Sequence, residues 1–203
     1  MDILAEIDSY CSGPIFRRAD LHIHSFEGSY DVTDNKMTPE SIIDTAITEG
    51  LQIISITDHD SIINVKRAIE YAKDKNILLI PGVELSTYHG HLLVYCPSYE
   101  LLYDFYGKLS FSDDPNGVRG RKICNRSIVE CLEIAERFNG IGIASHIDIE
   151  AGFEVKIPTY DAFKQQILLC KNLLALEVSS ITSTDWYTSN VLFTEATNGR
   201  CSR

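Results

Sequence analysis

Six histidines are the residues of this sequence best placed to do chemistry, because almost all of them fall where an apolar run ends. His22 and His24 alternate with Leu21 and Ile23, so on an extended strand both imidazoles project from one face. His59 lies in Thr57-Asp58-His59-Asp60, at the end of a β-branched run. His89 and His91 separate two further apolar runs, and His146 closes another. Glu84 interrupts the apolar stretch 77–85, where a carboxylate without a partner would be costly and a metal ion would be an economical one. Glu177 sits similarly within the run 174–179. Each of these has an ordinary explanation taken alone. A strand-end histidine is commonly a hydrogen-bonded core residue, Asp58 is turn chemistry, Asp60 is a helix-start acid, Glu84 can pair with a lysine, and Glu177 reads as structural. Four such clusters at successive strand ends make coincidence a poor account and metal binding a good one. Imidazole and carboxylate without thiolate suit Zn, Mn or Fe, and more than four candidate ligands imply two or three ions. Paired ions roughly 3.5–4 Å apart can clamp the attacking and leaving oxygens of an in-line displacement.

The elements that must carry these residues follow from the hydrophobic pattern. A first strand covers residues 19–24. Thr38 caps a helix with Pro39 at its first position, and Gly50 closes it. Residues 52–57 are a buried strand, and Ser61 caps a helix with apolar positions at 62, 65, 69 and 72. Residues 77–85 read as a third strand and 91–96 as a fourth, with a link too short for a crossover helix, so the pair is expected as a hairpin. A helix over 98–109 leads into a polar loop, a long helix follows to about residue 138, and residues 140–146 form a fifth strand. A helix over 160–170, a sixth strand over 174–179 and a last helix over 185–197 complete the chain. Alternating strands and helices predict an α/β fold with a mainly parallel sheet. An open doubly wound sheet would carry a glycine-rich phosphate loop, which is not found here. Polar residues directly after most strands favour a barrel, which keeps its active site there.

The chain has 203 residues, enough for one domain over 1–203 with a sizeable core. A formal charge of −11 disfavours a general nucleic-acid-binding surface. It leaves nucleotide substrates open, since bound cations invert the sign inside a pocket. Six scattered cysteines without a C-x-x-C pair read as reduced thiols, Cys96 and Cys170 lying in apolar runs. The acidic N-terminus is unlike a signal peptide and no apolar stretch spans a membrane, so a cytoplasmic protein is expected.

Asp20-Leu-His-Ile-His-Ser25, Thr57-Asp-His-Asp60, Gly82-Val-Glu-Leu-Ser86 and Ser145-His146 resemble, in order and spacing, the motifs of the PHP (polymerase and histidinol phosphatase) family. The resemblance runs over about residues 18–200 and implies a distorted (β/α)7 TIM-like barrel holding up to three divalent metals. By motif it assigns His22, His24, His59, Glu84, His91 and His146 as metal ligands, with Glu84 bridging two ions. It also implies an acid or histidine shortly after the first motif, for which Asp31 is the first choice and Glu27 and Asp34 the others. Asp20, Asp58 and Asp60 are candidates for catalytic roles, Asp20 by orienting a histidine ring. His89 stands two residues early for the motif and ranks below His91. The family's closing Asp-x-His motif and its strand are not found before Arg203, so a fragment or an incomplete site is expected, resembling PHP domains at the N-terminus of AAA- or SMC-like ATPases.

The chemistry the resemblance implies is hydrolysis of a phosphomonoester or phosphodiester by metal-bound hydroxide, on a phosphorylated small molecule, a nucleotide or a nucleic-acid end. Arg119, Arg121 and Arg126 belong to the one basic cluster and are the candidate substrate-binding residues, although a solvated loop explains them equally well. The rival readings are a non-catalytic module serving a larger ATPase or polymerase, and a C–N hydrolase, which would want a strand-end lysine not seen here.

Overall fold

A computed structural model describes residues 16–116, 118–158 and 161–179. The expected last helix over 185–197, together with Cys11 and Cys201, lies outside the described residues.

The N-terminal half is three parallel strands and two helices. Strands β1 (Ala19–Ile23), β2 (Ile53–Ile56) and β3 (Leu78–Leu79) form one sheet, with Ala19 opposite Ile53 and Ile53 opposite Leu78. Helix α1 (Pro39–Thr48) starts where expected, the Thr38 hydroxyl accepting the Ser41 N–H at 3.3 Å. Helix α2 (Val65–Ala72) starts later than Ser61 suggested. Ser61 instead accepts the Ile63 N–H in a turn, and Asn64 stands at the helix start. Ile42, Ile43 and Ala46 of α1 and Ala68 and Ala72 of α2 bury Ile54 and Ile56.

The stretch 77–85 is not one strand. Pro81 has no N–H to continue a ladder, so pairing stops there and resumes in a different sheet. Ile80 donates to Ile54 in the first sheet, whereas the Pro81 carbonyl accepts from Cys96 in the second. The second sheet has the order β6-β7-β4-β5-β8-β9, from β4 (Gly82–Thr87), β5 (Gly90–Tyr95), β6 (Phe111–Asp113), β7 (Lys122–Cys124), β8 (Ile141–Ala144) and β9 (Leu173–Leu176). β4 and β5 form the expected hairpin, Gly82 opposite Tyr95 and Thr87 opposite Gly90. β5 is also antiparallel to β8, while β4–β7 and β8–β9 are parallel, so this sheet is mixed rather than mainly parallel. β6 and β7 form a hairpin where a polar loop was expected.

Side-chain alternation divides the central hairpin. Val83, Leu85, Leu92 and Val94 enter the main core with Leu102 and Phe105 of α3 (Tyr99–Tyr106), Ile128 and Leu132 of α4 (Ile128–Arg137), and Phe153 of α5 (Phe153–Lys156). Ile167 and Leu168 of α6 (Ala162–Leu169) close it. The opposite face carries Glu84, Ser86 and His91, with Ser86 and His91 directly across from each other. Ser127 and Glu130 form a capping box that starts α4. Cys96, Cys124 and Cys131 are buried free thiols, and Cys170 is a partly buried one.

After β2 the chain leaves β1 and runs beside β4. Thr57 donates to Ile23, then Asp60 donates to Glu84 at 2.7 Å, and His59 and Glu84 form a parallel bridge. This bridge joins the two sheets. Among the described residues they do not close into a ring, so the α/β class stands while the (β/α)7 barrel is not seen. Among the described residues no helix is long and apolar enough to cross a membrane.

Candidate metal centre

Five of the six histidines gather around one carboxylate. Glu84, in the middle of β4, is fully buried. Its Oε2 faces His22 Nε2 at 3.0 Å, His24 Nε2 at 2.9 Å and His59 Nδ1 at 3.2 Å. Its Oε1 faces His91 Nδ1 at 3.2 Å and His146 Nε2 at 3.1 Å. The imidazoles form a closed circle, neighbouring ring centres being 5.2 Å (His22–His24), 4.5 Å (His24–His59), 4.8 Å (His59–His91), 5.1 Å (His91–His146) and 5.7 Å (His146–His22) apart.

Each contributor is held by its strand end. His22 and His24 share a face at the end of β1. Ser25, which follows, is pinned by Asp58, whose carboxylate accepts the Ser25 N–H at 2.5 Å and hydroxyl at 2.6 Å. Gly28 leaves room for this lock, since a Cβ there would fall 1.9 Å from Asp58 Oδ2. His59 and Asp60 lie on the segment bridging the sheets. Asp60 has φ +50°, its Oδ1 accepts the Ser86 N–H at 2.9 Å, and its backbone carbonyl accepts the Tyr106 hydroxyl. His146 leaves β8 with φ +27°, and its backbone N–H donates to Glu177 at 2.9 Å. Asp60 and His146, two non-glycine residues with left-handed backbone at the site, are strain of the kind that functional sites retain.

Two further carboxylates stand behind the histidines. Glu177, just after β9, meets His22 Nδ1 at 3.0 and 3.1 Å. Asp31 meets His24 Nδ1 at 3.1 Å and lies 3.8 Å from His59 Nε2. His22 and His24 therefore have a carboxylate at both ring nitrogens. A neutral imidazole has one N–H and can satisfy only one of them, so each ring must carry an extra proton or share the lone pair of its other nitrogen with a cation. In the metal-free chain the proton takes that place. Although burial opposes it, hydrogen bonds to Glu177 and Glu84 raise His22 to about 10, and those to Asp31 and Glu84 raise His24 to about 9. Burial dominates at His59 and holds it down at about 3. Glu84 is pulled well below the usual carboxylate range: desolvation opposes this, but the hydrogen bonds from His146, His22, His24 and His91 prevail.

The donor set fits divalent ions better than protons. A carboxylate offers about four lone-pair positions, two on each oxygen, yet Glu84 faces five nitrogens, three of them on Oε2. Ligand atoms bound at about 2.0–2.2 Å to a common ion lie roughly 3 Å or slightly more apart, which is the spacing found here. His146 Nδ1 is buried without a hydrogen-bond partner. Among the described residues, three sets of donor atoms are close enough to share an ion: His22, His24 and Glu84; His24, Asp31 and His59; and His59, Glu84 and His91. With Nε2 on an ion, the Nδ1–H of His22 would donate to Glu177, the carboxylate–histidine arrangement that fixes a ligand's tautomer.

Metal and protons compete for the same nitrogens, which gives a pH signature. Both raised histidines bind protons in the folded chain that the unfolded chain has lost above about 6.5. Their stabilisation is full below 6.5 and disappears as pH rises through about 9 to 10. Asp60, raised by burial to about 8, acts in the same direction. Thermal melts in chelator should fall in midpoint between pH 6.5 and 10 and flatten with manganese; an unchanged midpoint in chelator would contradict this proton inventory.

The remaining sequence candidates are placed as follows. Asp20, expected to hold a histidine ring, is exposed and accepts only the His22 backbone N–H at 3.3 Å. The ring-orienting carboxylates are Glu177 and Asp31 instead. Asp58 is turned to Ser25, and so positions the first motif rather than facing the histidines. Asp60 Oδ2 is buried without a hydrogen-bond partner. Asp31 reaches the histidines, whereas Glu27 is exposed and Asp34 accepts a turn N–H from Lys36. His89 packs on Phe163 with ring centres 4.6 Å apart, away from the circle. Of the three arginines, Arg121 lines a pocket with His91. Arg126 pairs with Glu130 at 3.2 Å on α4, and Arg119 is exposed. Glu177 was read as structural; the signal available was an acid inside an apolar strand, the same signal that singled out Glu84. Glu177→Gln is expected to weaken metal affinity about 10- to 100-fold, measured by competition with a chelating dye. Unchanged affinity would remove Glu177 from the centre.

The chain is similar to known proteins in both sequence and structure. The chain is 37% identical over 73 residues to an error-prone DNA polymerase of Nocardia farcinica and 34% identical over 71 residues to a 5'-3' exoribonuclease of Haemophilus influenzae. These stretches are 36% and 35% of this chain but 6% and 24% of those proteins, so the likeness spans a minor part of each relative. In structure the chain is similar to the lesion-specific endonuclease Q of Pyrococcus furiosus, with TM-score 0.64, 19% identity, and coverage of 84% of this chain and 44% of that one. It also resembles a two-domain Bacteroides vulgatus protein containing a predicted PHP-like metal-dependent phosphoesterase, with TM-score 0.53, 17% identity, and coverage of 79% and 43%. These relatives are polymerases, nucleases and phosphoesterases, which lends no support to attachment to an ATPase. Residues 20–190 match the PHP domain, and on that match the chain belongs to the PHP domain family.

Proposed function

We propose that this chain is a metal-dependent phosphoesterase acting on phosphomonoesters or phosphodiesters, with nucleotides or nucleic-acid ends as the substrate class. The observation that carries the reading is Glu84, one buried carboxylate met by five imidazoles. Divalent ions held there would supply Lewis acidity and lower the pKa of a water molecule. The chain's own residues do the rest. Glu84 and the five histidines fix the donor atoms in a largely buried recess, Glu177 and Asp31 set the tautomers of His22 and His24, and Arg121 offers a cation for a substrate anion. The nucleic-acid class draws support from the endonuclease Q and exoribonuclease likenesses.

The test is turnover of p-nitrophenyl phosphate, bis-p-nitrophenyl phosphate and a 5'-phosphorylated oligonucleotide by the chain loaded with manganese or zinc. Hydrolysis that chelator abolishes is expected, and no turnover by fully loaded protein would sink the enzyme reading. A second reading, a non-catalytic module that stabilises or regulates a larger polymerase, is favoured by the likeness to a 6% stretch of the Nocardia polymerase. It would be the surviving reading if metal bound but no ester were cleaved.

A further inference from the structure

Beside the histidine circle lies a pocket of about 90 Å³, room for several waters, walled by the β4–β5 turn, the β6–β7 hairpin and α5. His91, which contacts Glu84, lines it together with Thr87, Tyr88, Asp114 and Arg121, and Lys156 joins them from α5. Its polar groups are left incomplete by the protein. Arg121 Nε is buried with no hydrogen-bond partner. Asp114 has a side chain with no exposure; its Oδ1 accepts from Asn116 N and Nδ2 at 3.0 and 3.1 Å, while Oδ2 has no hydrogen-bond partner. The two groups are 3.6 Å apart from Nη1 to Oδ2, an ion pair just beyond hydrogen-bond reach. The Arg121 guanidinium also lies 6.0 Å from the centre of the Tyr30 ring, which is itself 5.1 Å from the His59 ring, and His91 belongs to both the pocket and the histidine circle.

The unused valences define a ligand. Two cations, Arg121 and Lys156, call for an anion with several acceptor oxygens, and a planar guanidinium with a free Nε–H suits phosphate. Asp114 Oδ2 calls for a neighbouring donor that is not itself charged, because a bare phosphate there would meet a carboxylate. A hydroxyl attached beside the phosphate meets both demands. Resting on the phosphoesterase reading, we propose that this pocket is a sugar-phosphate subsite: Arg121 and Lys156 hold a phosphate that is not cleaved, and Asp114 accepts a hydrogen bond from the hydroxyl of its sugar. The substrate then carries a sugar phosphate next to the ester presented to the histidine centre, and the exposed Tyr88 ring at the turn offers a surface for an attached base.

The experiment is an NMR titration of the full chain in chelator, with ribose 5-phosphate and inorganic phosphate as probes and the Thr87 and Tyr88 amides and Arg121 Nε–H as reporters. Saturable shifts with ribose 5-phosphate are expected. Lys156→Ala, an exposed position, and Arg121→Lys should each weaken binding at least tenfold. Asp114→Asn should weaken ribose 5-phosphate more than inorganic phosphate. Equal affinity in wild type and variants, or no saturable shift at the three reporters, would overturn the subsite. Because the protein is metal-free, binding supports the subsite whatever hydrolysis assays give, and its absence overturns the subsite even if phosphoesters are cleaved.

Discussion

Replacing Glu84 with glutamine should reduce phosphoester turnover more than about 100-fold, because removing a partner that merely orients a ligand already costs about 10- to 100-fold. Glu84 sits deeper in the centre than such a partner: both of its oxygens contact imidazole nitrogens, and three of those nitrogens share Oε2. Glutamine keeps the shape but removes the charge and turns one end into a donor aimed at the rings. The same substitution should lower the raised proton affinity of His22 and His24, since each is held up in part by Glu84. Both effects are read on one protein, by turnover with manganese and by histidine titration in chelator. A variant with wild-type turnover would show that the carboxylate is only a buried partner for protonated histidines.

The second large effect concerns folding. Gly90 closes the β4–β5 turn with φ +122°, a conformation that L side chains rarely adopt, and a Cβ there would stand 2.6 Å from Phe153 N and 2.8 Å from Phe153 Cα. Both obstacles are backbone, so no rotamer change relieves them. The unfavourable φ costs about 1–3 kcal/mol and the overpacking about 1–3 kcal/mol more. Gly90→Ala should therefore lower stability by roughly 2–6 kcal/mol, a fall of about 4–24 °C in melting temperature for a chain of this size. His91 is the next residue and its N–H donates to Ala151, so the damage reaches the histidine circle as well. Gly50→Ala is the control: its φ is +73°, but a Cβ there meets only the end of Arg18 at 3.4 Å. Equal melting temperatures for the two variants would refute the steric account.

How much of this was legible depended on whether a signal was local. The alternation in His22-Ile23-His24 and the lone acid of 77–85 are properties of a few neighbouring residues, and they pointed to residues that the structure gathers around Glu84 and to the hairpin that carries Glu84 and His91. The division of 77–85 between two sheets was marked by Pro81, yet which sheet each half joins depends on Ile54 and Cys96, far away in the chain. The β6–β7 hairpin was hidden because strands of three residues show no periodicity. Glu177 carried the same local signal as Glu84, an acid inside an apolar run, but was undervalued because its partner His22 lies 155 residues away in the chain. Asp20 was overvalued because its motif is adjacent to the histidines in sequence, while its side chain faces solvent and caps a backbone N–H. Arg126 belonged to a basic run, but Glu130, one helical turn on, engages it.

The central claim is that Glu84 and its five histidines are a metal centre. Its most direct test is anomalous diffraction from crystals of the chain saturated with manganese. The account predicts ions bound to Glu84, with nitrogens of His22, His24, His59, His91 and His146 among their ligands at about 2.0–2.2 Å. No anomalous density within bonding reach of Glu84 in manganese-saturated crystals would contradict it.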